Sequence, residues 1–176
     1  MAKRLVDIDE KALAAARAEL GTKTLKDTVN EALRRAAPTR NRRVARALDT
    51  LAKARFRAVR AALEPLAASG QVARAGIADL EVGFSARNLG EWTRLVAALA
   101  AFPLIETDAV HVRRARQVQR LLASRGLRGR KVPDLLIAAA AEESGLAVLH
   151  YDADFDLITR VTGQPCEWVV PAGSID

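Results

Sequence analysis

Asp134 stands in an otherwise apolar stretch, PDLLIAAAA from Pro133 to Ala141, where a lone carboxylate calls for a partner or a cation. Three further acids occupy comparable places. Glu81 is expected just after a strand-like run, Asp152 closes the strand-like segment LAVLHYD, and Asp154 follows two residues later. Open α/β sheets gather their sites at the ends of strands, so these acids are expected to converge. Converging carboxylates are hard oxygen ligands suited to Mg²⁺ or Mn²⁺, and a cation held by them can bind phosphate and generate hydroxide. Asp156 reads as an ordinary cap or surface acid. His150, directly before Tyr151 and Asp152 in a strand, reads as structural rather than as a base.

The elements that must carry these acids lie beyond Gly70. There VARAGIADLEV, FPLIET, LAVLHYD and EWVVP read as strands separated by helical stretches, the order of an α/β domain. Ahead of them the pattern differs. Lys3 to Ile8 is a short apolar run expected to be a strand. Asp9 then caps a helix whose apolar positions Leu13, Ala16 and Leu20 recur at helical spacing. Gly21 stops that helix. Thr24 and Asp27 resemble a capping box opening a second helix, with Val29, Ala32, Leu33 and Ala36 on one face and Pro38 expected to close it. A strand and two helices bury too little to stand alone, so this unit is expected to dimerise. From Val44, the spacing of Leu48, Leu51, Phe56, Val59, Leu63 and Leu66 predicts one long amphipathic helix ending near Ser69 and Gly70.

Charge follows the same division. The 176-residue chain carries a net +7. Residues 1–70 hold 16 Lys and Arg against 8 Asp and Glu, whereas the remainder holds 12 against 13. The basic excess therefore lies wholly in the first part, which suits a polyanion or an internal acidic site, although a solvated basic helix accounts for it too. The single cysteine, Cys166, excludes an internal disulfide, and the charged amino terminus is unlike a signal peptide, so a cytoplasmic protein is expected. The longest apolar stretches fall far short of the roughly 20 residues that a membrane helix requires.

Two resemblances organise these features. RLVDIDEKALAAARAELGTKTLKDTVNEALRRA, and GTKTLKDTVNEAL in particular, resembles the ribbon-helix-helix antitoxins of the VapB type. LEVGFSAR, KVPDLLIAAAAE, LHYDADFDLIT and VTGQPCEWV together resemble the VapC toxins, ribonucleases of the PIN family. The resemblance implies a mixed α/β chain in three parts: a ribbon-helix-helix segment at 1–37, a basic linker helix at 38–69, and a PIN-like α/β/α domain at 70–176. It implies a homodimer paired through the amino-terminal strand and bound to operator DNA, with Lys3 and Leu5 on the ribbon and Thr22, Lys23, Thr24 and Lys26 at the helix start. Asp7 would then face the groove, where phosphate repels it. A dimerisation module that binds no DNA is the alternative.

For the second part the resemblance implies catalytic acids at Glu81, Asp134 and Asp152, a metal site formed by these three with Asp154, and Mg²⁺ or Mn²⁺ as the ion. RNA is the implied substrate. PIN domains open with a central strand of the form hydrophobic-Asp-Ser/Thr, and no such strand precedes the first toxin-like helix here. A parallel sheet without its central strand has two unpaired edges and one carboxylate fewer, so impaired catalysis is expected. KRLVDID resembles the missing strand and offers Asp7, but it cannot sit in the ribbon and in the sheet at once. Arg40, Arg42, Arg43 and Arg46 are placed to reach the acids or to form a charged helix face. Three functions stay open: a DNA-binding regulator with a degenerate nuclease, a Mg²⁺-dependent endoribonuclease inhibited by its own antitoxin segment, and a non-catalytic scaffold for other toxins or antitoxins.

Overall fold

The computed structural model describes residues 6–51, 56–127 and 131–175. Two compact units divide the chain, residues 1–43 and 44–176.

In the first unit α1 spans Glu10–Leu20, and its start is held by the Asp9 carboxylate, which accepts the Ala12 N–H at 2.7 Å. Gly21 ends it in the left-handed conformation at φ 63°, which glycine adopts without the penalty a Cβ would bring. Thr24 opens α2, Leu25–Leu51. Its hydroxyl accepts the Asp27 N–H at 3.1 Å and donates to the Asp27 carboxylate at 2.7 Å. Pro38 does not close this helix as expected: α2 runs through it for 27 residues. The proline is exposed, so water can reach the Arg34 carbonyl that loses its partner, and good helix formers flank the position. Val6 to Asp9 form neither strand nor helix, and Lys3 and Leu5 lie outside the described residues.

The second unit begins with the last turns of α2. Residues Val44 to Leu51 belong to α2 and Arg57–Ala68 form α3, with 52–55 outside the described residues. There follow β1 (Arg74–Ala75), α4 (Gly76–Phe84), α5 (Leu89–Leu99), β2 (Leu104–Ile105), α6 (Ala109–Ser124), α7 (Val132–Glu143), β3 (Val148–His150), α8 (Asp154–Thr162) and β4 (Cys166–Trp168). The four strand-like segments of the sequence thus each hold a strand, but the first is much shorter than its apolar pattern. Only Arg74 and Ala75 are extended, and from Gly76 the chain is helical, with the Ile77 N–H donating to the Thr107 hydroxyl at 3.2 Å. Short apolar runs fit either period, and here the helix prevails.

The strands form two separate parallel pairs, β1 with β2 and β3 with β4. Both pairs pack on α7, which also packs on α4, α6 and α8. Its run Ala138 to Ala141 is buried, so the neighbouring backbones approach closely. Val118 and Leu122 of α6, Leu135 of α7, Val148 of β3, and Phe155 and Ile158 of α8 complete the main core. The Arg114 guanidinium clamps Glu142 through two hydrogen bonds of 2.6 and 2.7 Å and ties α6 to α7. A smaller cluster joins Val44 and Leu48 to Ala67, Leu63, Val72 and Phe102. Leu122 is 2% exposed, and Leu122→Ala should lower unfolding stability by about 2–5 kcal/mol in a denaturant titration.

Candidate metal centre

α7 starts with Val132 and Pro133, whose fixed φ suits a helix's first turn and whose missing N–H costs nothing there. That start places Asp134 in the first turn, among backbone amides that favour a negative charge. Asp152 stands two residues beyond the end of β3, and Asp154 begins α8. Helix start, strand end and helix start meet. Carboxylate oxygens of Asp134, Asp152 and Asp154 all lie within 4.8 Å of one another.

Glu81 is not part of this trio. It lies on α4 and is exposed, within a helix rather than at the expected strand end, because α4 begins as early as Gly76. Its charge is still felt at Asp134. The four residues named for DNA contact in the described part, Thr22, Lys23, Thr24 and Lys26, stand together around the start of α2 in the first unit. Lys23 and Lys26 are exposed, while Thr22 is half-buried against Thr28, the two hydroxyls 2.7 Å apart.

The three clustered acids differ in their surroundings. Asp134 is 6% exposed, and its Oδ2 has no hydrogen-bond partner. Burial raises its carboxyl to a pKa of about 6, with Lys131 opposing the rise and Asp152, Asp154 and Glu81 adding to it. Asp152 is held below its ordinary value, first by the Asp154 N–H, which donates to Oδ1 at 3.0 Å, and then by the Lys131 ammonium, 2.9 Å from Oδ2. The same contact holds Lys131 above the ordinary range of lysine. Lys131 is the neighbour that residue pattern alone did not single out. Its signal was a cation three residues before Asp134 in KVPD.

An orphaned buried carboxylate oxygen beside two further acids is a set of hard oxygen donors short of positive charge, and it fits a divalent cation of the Mg²⁺ or Mn²⁺ class. Asp134, Asp152 and Asp154 would hold it. Such an ion, when bound, binds phosphate and makes hydroxide available. Two further polar groups lie nearby. Asp156 accepts the Trp168 indole N–H at 3.2 Å, and His150 is 5% exposed, between Phe155 and Trp168, with ring centroids 5.2 and 4.9 Å away. The His150 Nδ1 accepts the Asp152 N–H at 3.3 Å, so the imidazole orients an acid of the cluster.

Comparison with known proteins decides the family, since the PIN domain profile matches residues 51–161. The chain belongs to the PIN domain family. It is similar to ribonuclease VapC51 of Mycobacterium tuberculosis, 71% identical over 119 residues that make up 68% of this chain and 87% of that one. Ribonuclease VapC21 of the same species is 45% identical over 129 residues, 69% of this chain and 90% of its own. The amino-terminal region is similar to putative antitoxin VapB51 of Mycobacterium tuberculosis, 70% identical over 54 residues, which are 31% of this chain and 84% of that one. One polypeptide therefore joins a VapB-like segment to a VapC-like PIN domain. The fold is similar to that of VapBC2 from Rickettsia felis, solved bound to a promoter DNA fragment, with a TM-score of 0.51 and 22% identity over 60% of this chain and 81% of that one. Among the described residues, no helix is long and apolar enough to cross a membrane.

The Asp134 environment has a measurable consequence. The folded carboxyl keeps its proton up to about pH 6, whereas the unfolded chain loses it near 3.8, so stability falls as pH rises between these values and stays level above them. Metal-free Asp134→Asn should therefore be more stable than the wild type at pH 8 by about 1–3 kcal/mol, a difference that fades below about pH 4. Mg²⁺ or Mn²⁺ should raise the melting temperature of the wild type at pH 8 and leave the variant unchanged.

Proposed function

We propose that this chain is a toxin–antitoxin fusion acting as a DNA-binding regulator, and that its PIN domain cleaves RNA weakly or not at all. The observation that carries the reading is that, among the described residues, the parallel strands form two pairs with no strand between them, beside the acidic cluster of Asp134, Asp152 and Asp154. A central strand supplies both hydrogen bonds to its neighbours and, at its carboxyl end, one more side chain to the site. Without it the three clustered acids retain the donors for one Mg²⁺ or Mn²⁺ ion but lose rigidity, and loosely held ligands make a slow hydrolytic centre.

Dimerisation follows from how little the first unit buries by itself. α1 buries none of its residues, and among the described residues of the unit Thr28 is the only buried one. Pairing of residues 3–8 with those of a second copy would form a ribbon, with Lys3 and Leu5 directed at base edges. The start of α2 would meet phosphate through its amides and through Thr22, Lys23, Thr24 and Lys26. A VapBC relative solved with promoter DNA supports the choice of operator-like DNA as the partner. The expected compartment is the cytoplasm.

The test is a retardation assay with a duplex carrying the sequence upstream of the chain's own reading frame, run beside an RNA-cleavage assay in Mg²⁺ or Mn²⁺. The wild type should retard the duplex. Lys23→Ala with Lys26→Ala should weaken retardation on all sequences alike and flatten its salt dependence, by about 0.9 in log–log slope for each phosphate that is no longer neutralised. Cleavage should be near background with the duplex bound. Strong cleavage abolished by EDTA and by Asp134→Asn would instead establish an endoribonuclease restrained by its own antitoxin segment. A well-folded protein that neither retards DNA nor cleaves RNA would be a scaffold for other toxin or antitoxin chains.

A further inference from the structure

The space between the two strand pairs is shaped for a strand. The Arg74 N–H donates to Pro103 of the β2 segment, so the alternation of a parallel strand turns the amides of Ala73 and Ala75 and the carbonyl of Ala73 the other way, while the Ala75 carbonyl opens α4 as its N-cap. On the second pair the Val148 N–H donates to Pro165 and the His150 carbonyl accepts the Val169 N–H, which turns the Leu149 amide and carbonyl away from β4. Val72, Ala73 and Leu149 line two cavities that also share Leu63. One, of about 460 Å³, is walled by α3 with Val59, and the other, of about 250 Å³, by α7 with Ile137 and Ala141. Among the described residues, the slot thus has a backbone edge with no strand beside it on each flank, and apolar side chains from α3 and α7. Such an occupant must be short, extended and apolar on both faces, and must run parallel to β1 and β3.

We infer that the slot is filled by residues 4–8 of a second copy of this chain. Three features of that segment fit. Leu5 and Val6 supply apolar side chains to both faces, as a strand buried on two sides requires. A parallel orientation carries the following residue, Asp7, to the carboxyl ends of the strands, on the side where Asp152 follows β3. Val6 is 70% exposed within a single chain and belongs to no helix or strand, so this β-branched side chain has cover to gain.

The inference rests on the proposed reading of the amino-terminal segment as a pairing strand and adds a second place for it. In the ribbon it meets its own counterpart on DNA, and in the slot it completes the sheet of a partner. Each engagement excludes the other, so DNA binding and sheet completion compete for one segment.

Hydrogen exchange followed residue by residue in the full chain, without DNA, tests this. The amides of Ala73, Ala75 and Leu149 should exchange at least tenfold more slowly in the wild type than in Val6→Asp or Val6→Pro. Their protection should deepen with protein concentration, and Val6→Ile should keep it. Adding the upstream duplex should accelerate exchange at these amides alone. Equal exchange in wild type and both variants overturns the inference, protection independent of concentration overturns the assignment to a second copy, and protection that persists on saturated DNA overturns the competition. Failure to retard DNA would count against the proposed regulator while leaving the exchange measurement without DNA to decide the slot.

Discussion

The alanine face of α7 is the surface on which the second unit is built. Ala138 and Ala139 are almost wholly inaccessible, and the absence of longer side chains lets two strand pairs and three helices approach one helix. The cost is that α7 contributes little shape of its own. Specificity of packing comes from larger partners, Val118 and Leu122 on one side, Phe155 and Ile158 on another, and from the Arg114–Glu142 clamp. Because α7 is fixed so firmly, Asp134 in its first turn is fixed as well, and it sits where water is largely excluded. The raised pKa of that carboxyl follows directly from the packing that holds the helix.

The same helix packs on both strand pairs, which among the described residues share no hydrogen-bonded strand. In an uninterrupted parallel sheet each inner strand is bonded on both sides, and the site draws side chains from several strand ends. Among the described residues the two pairs are bonded only outwardly. The acidic centre therefore depends on helix starts and one strand end: Asp134 from α7, Asp154 from α8, and Asp152 after β3. Lys131 moderates the charge that these groups bring together, since it neutralises Asp152 and offsets part of the rise at Asp134. Among the described residues, this PIN domain keeps an acidic cluster whose donors fit a cation, beside a sheet divided into two pairs.

Joining an antitoxin-like segment to a toxin-like domain changes what each must do. As separate chains the two can adjust their ratio. As one chain they are always equimolar. The described part of the first unit buries little of itself, and the charge excess of the whole molecule lies in residues 1–70.

Much of this was legible in the chain itself. Asp9, Gly21 and the Thr24–Asp27 box marked helix ends because capping is local: each acts within three or four residues, so neighbouring letters suffice. The four strand-like segments were recognisable because buried parallel strands are short apolar runs, and Asp134 stood out as a charge in an apolar helix. Other features lay beyond local pattern. In VARAGIADLEV the first turn of the helix is capped from thirty residues away, by the Thr107 hydroxyl that accepts the Ile77 N–H, a partner no local pattern reveals. Whether Pro38 ended a helix depended on its exposure to solvent. The separation of Glu81 from the trio, the approach of Lys131 to Asp152, and the slot between β1 and β3 all depend on how α7 sets its neighbours in space. Residue order determined which groups could do chemistry, and only the packing around α7 decided which of them meet, because distances between segments far apart in the chain are set by the fit of their side chains and not by sequence spacing.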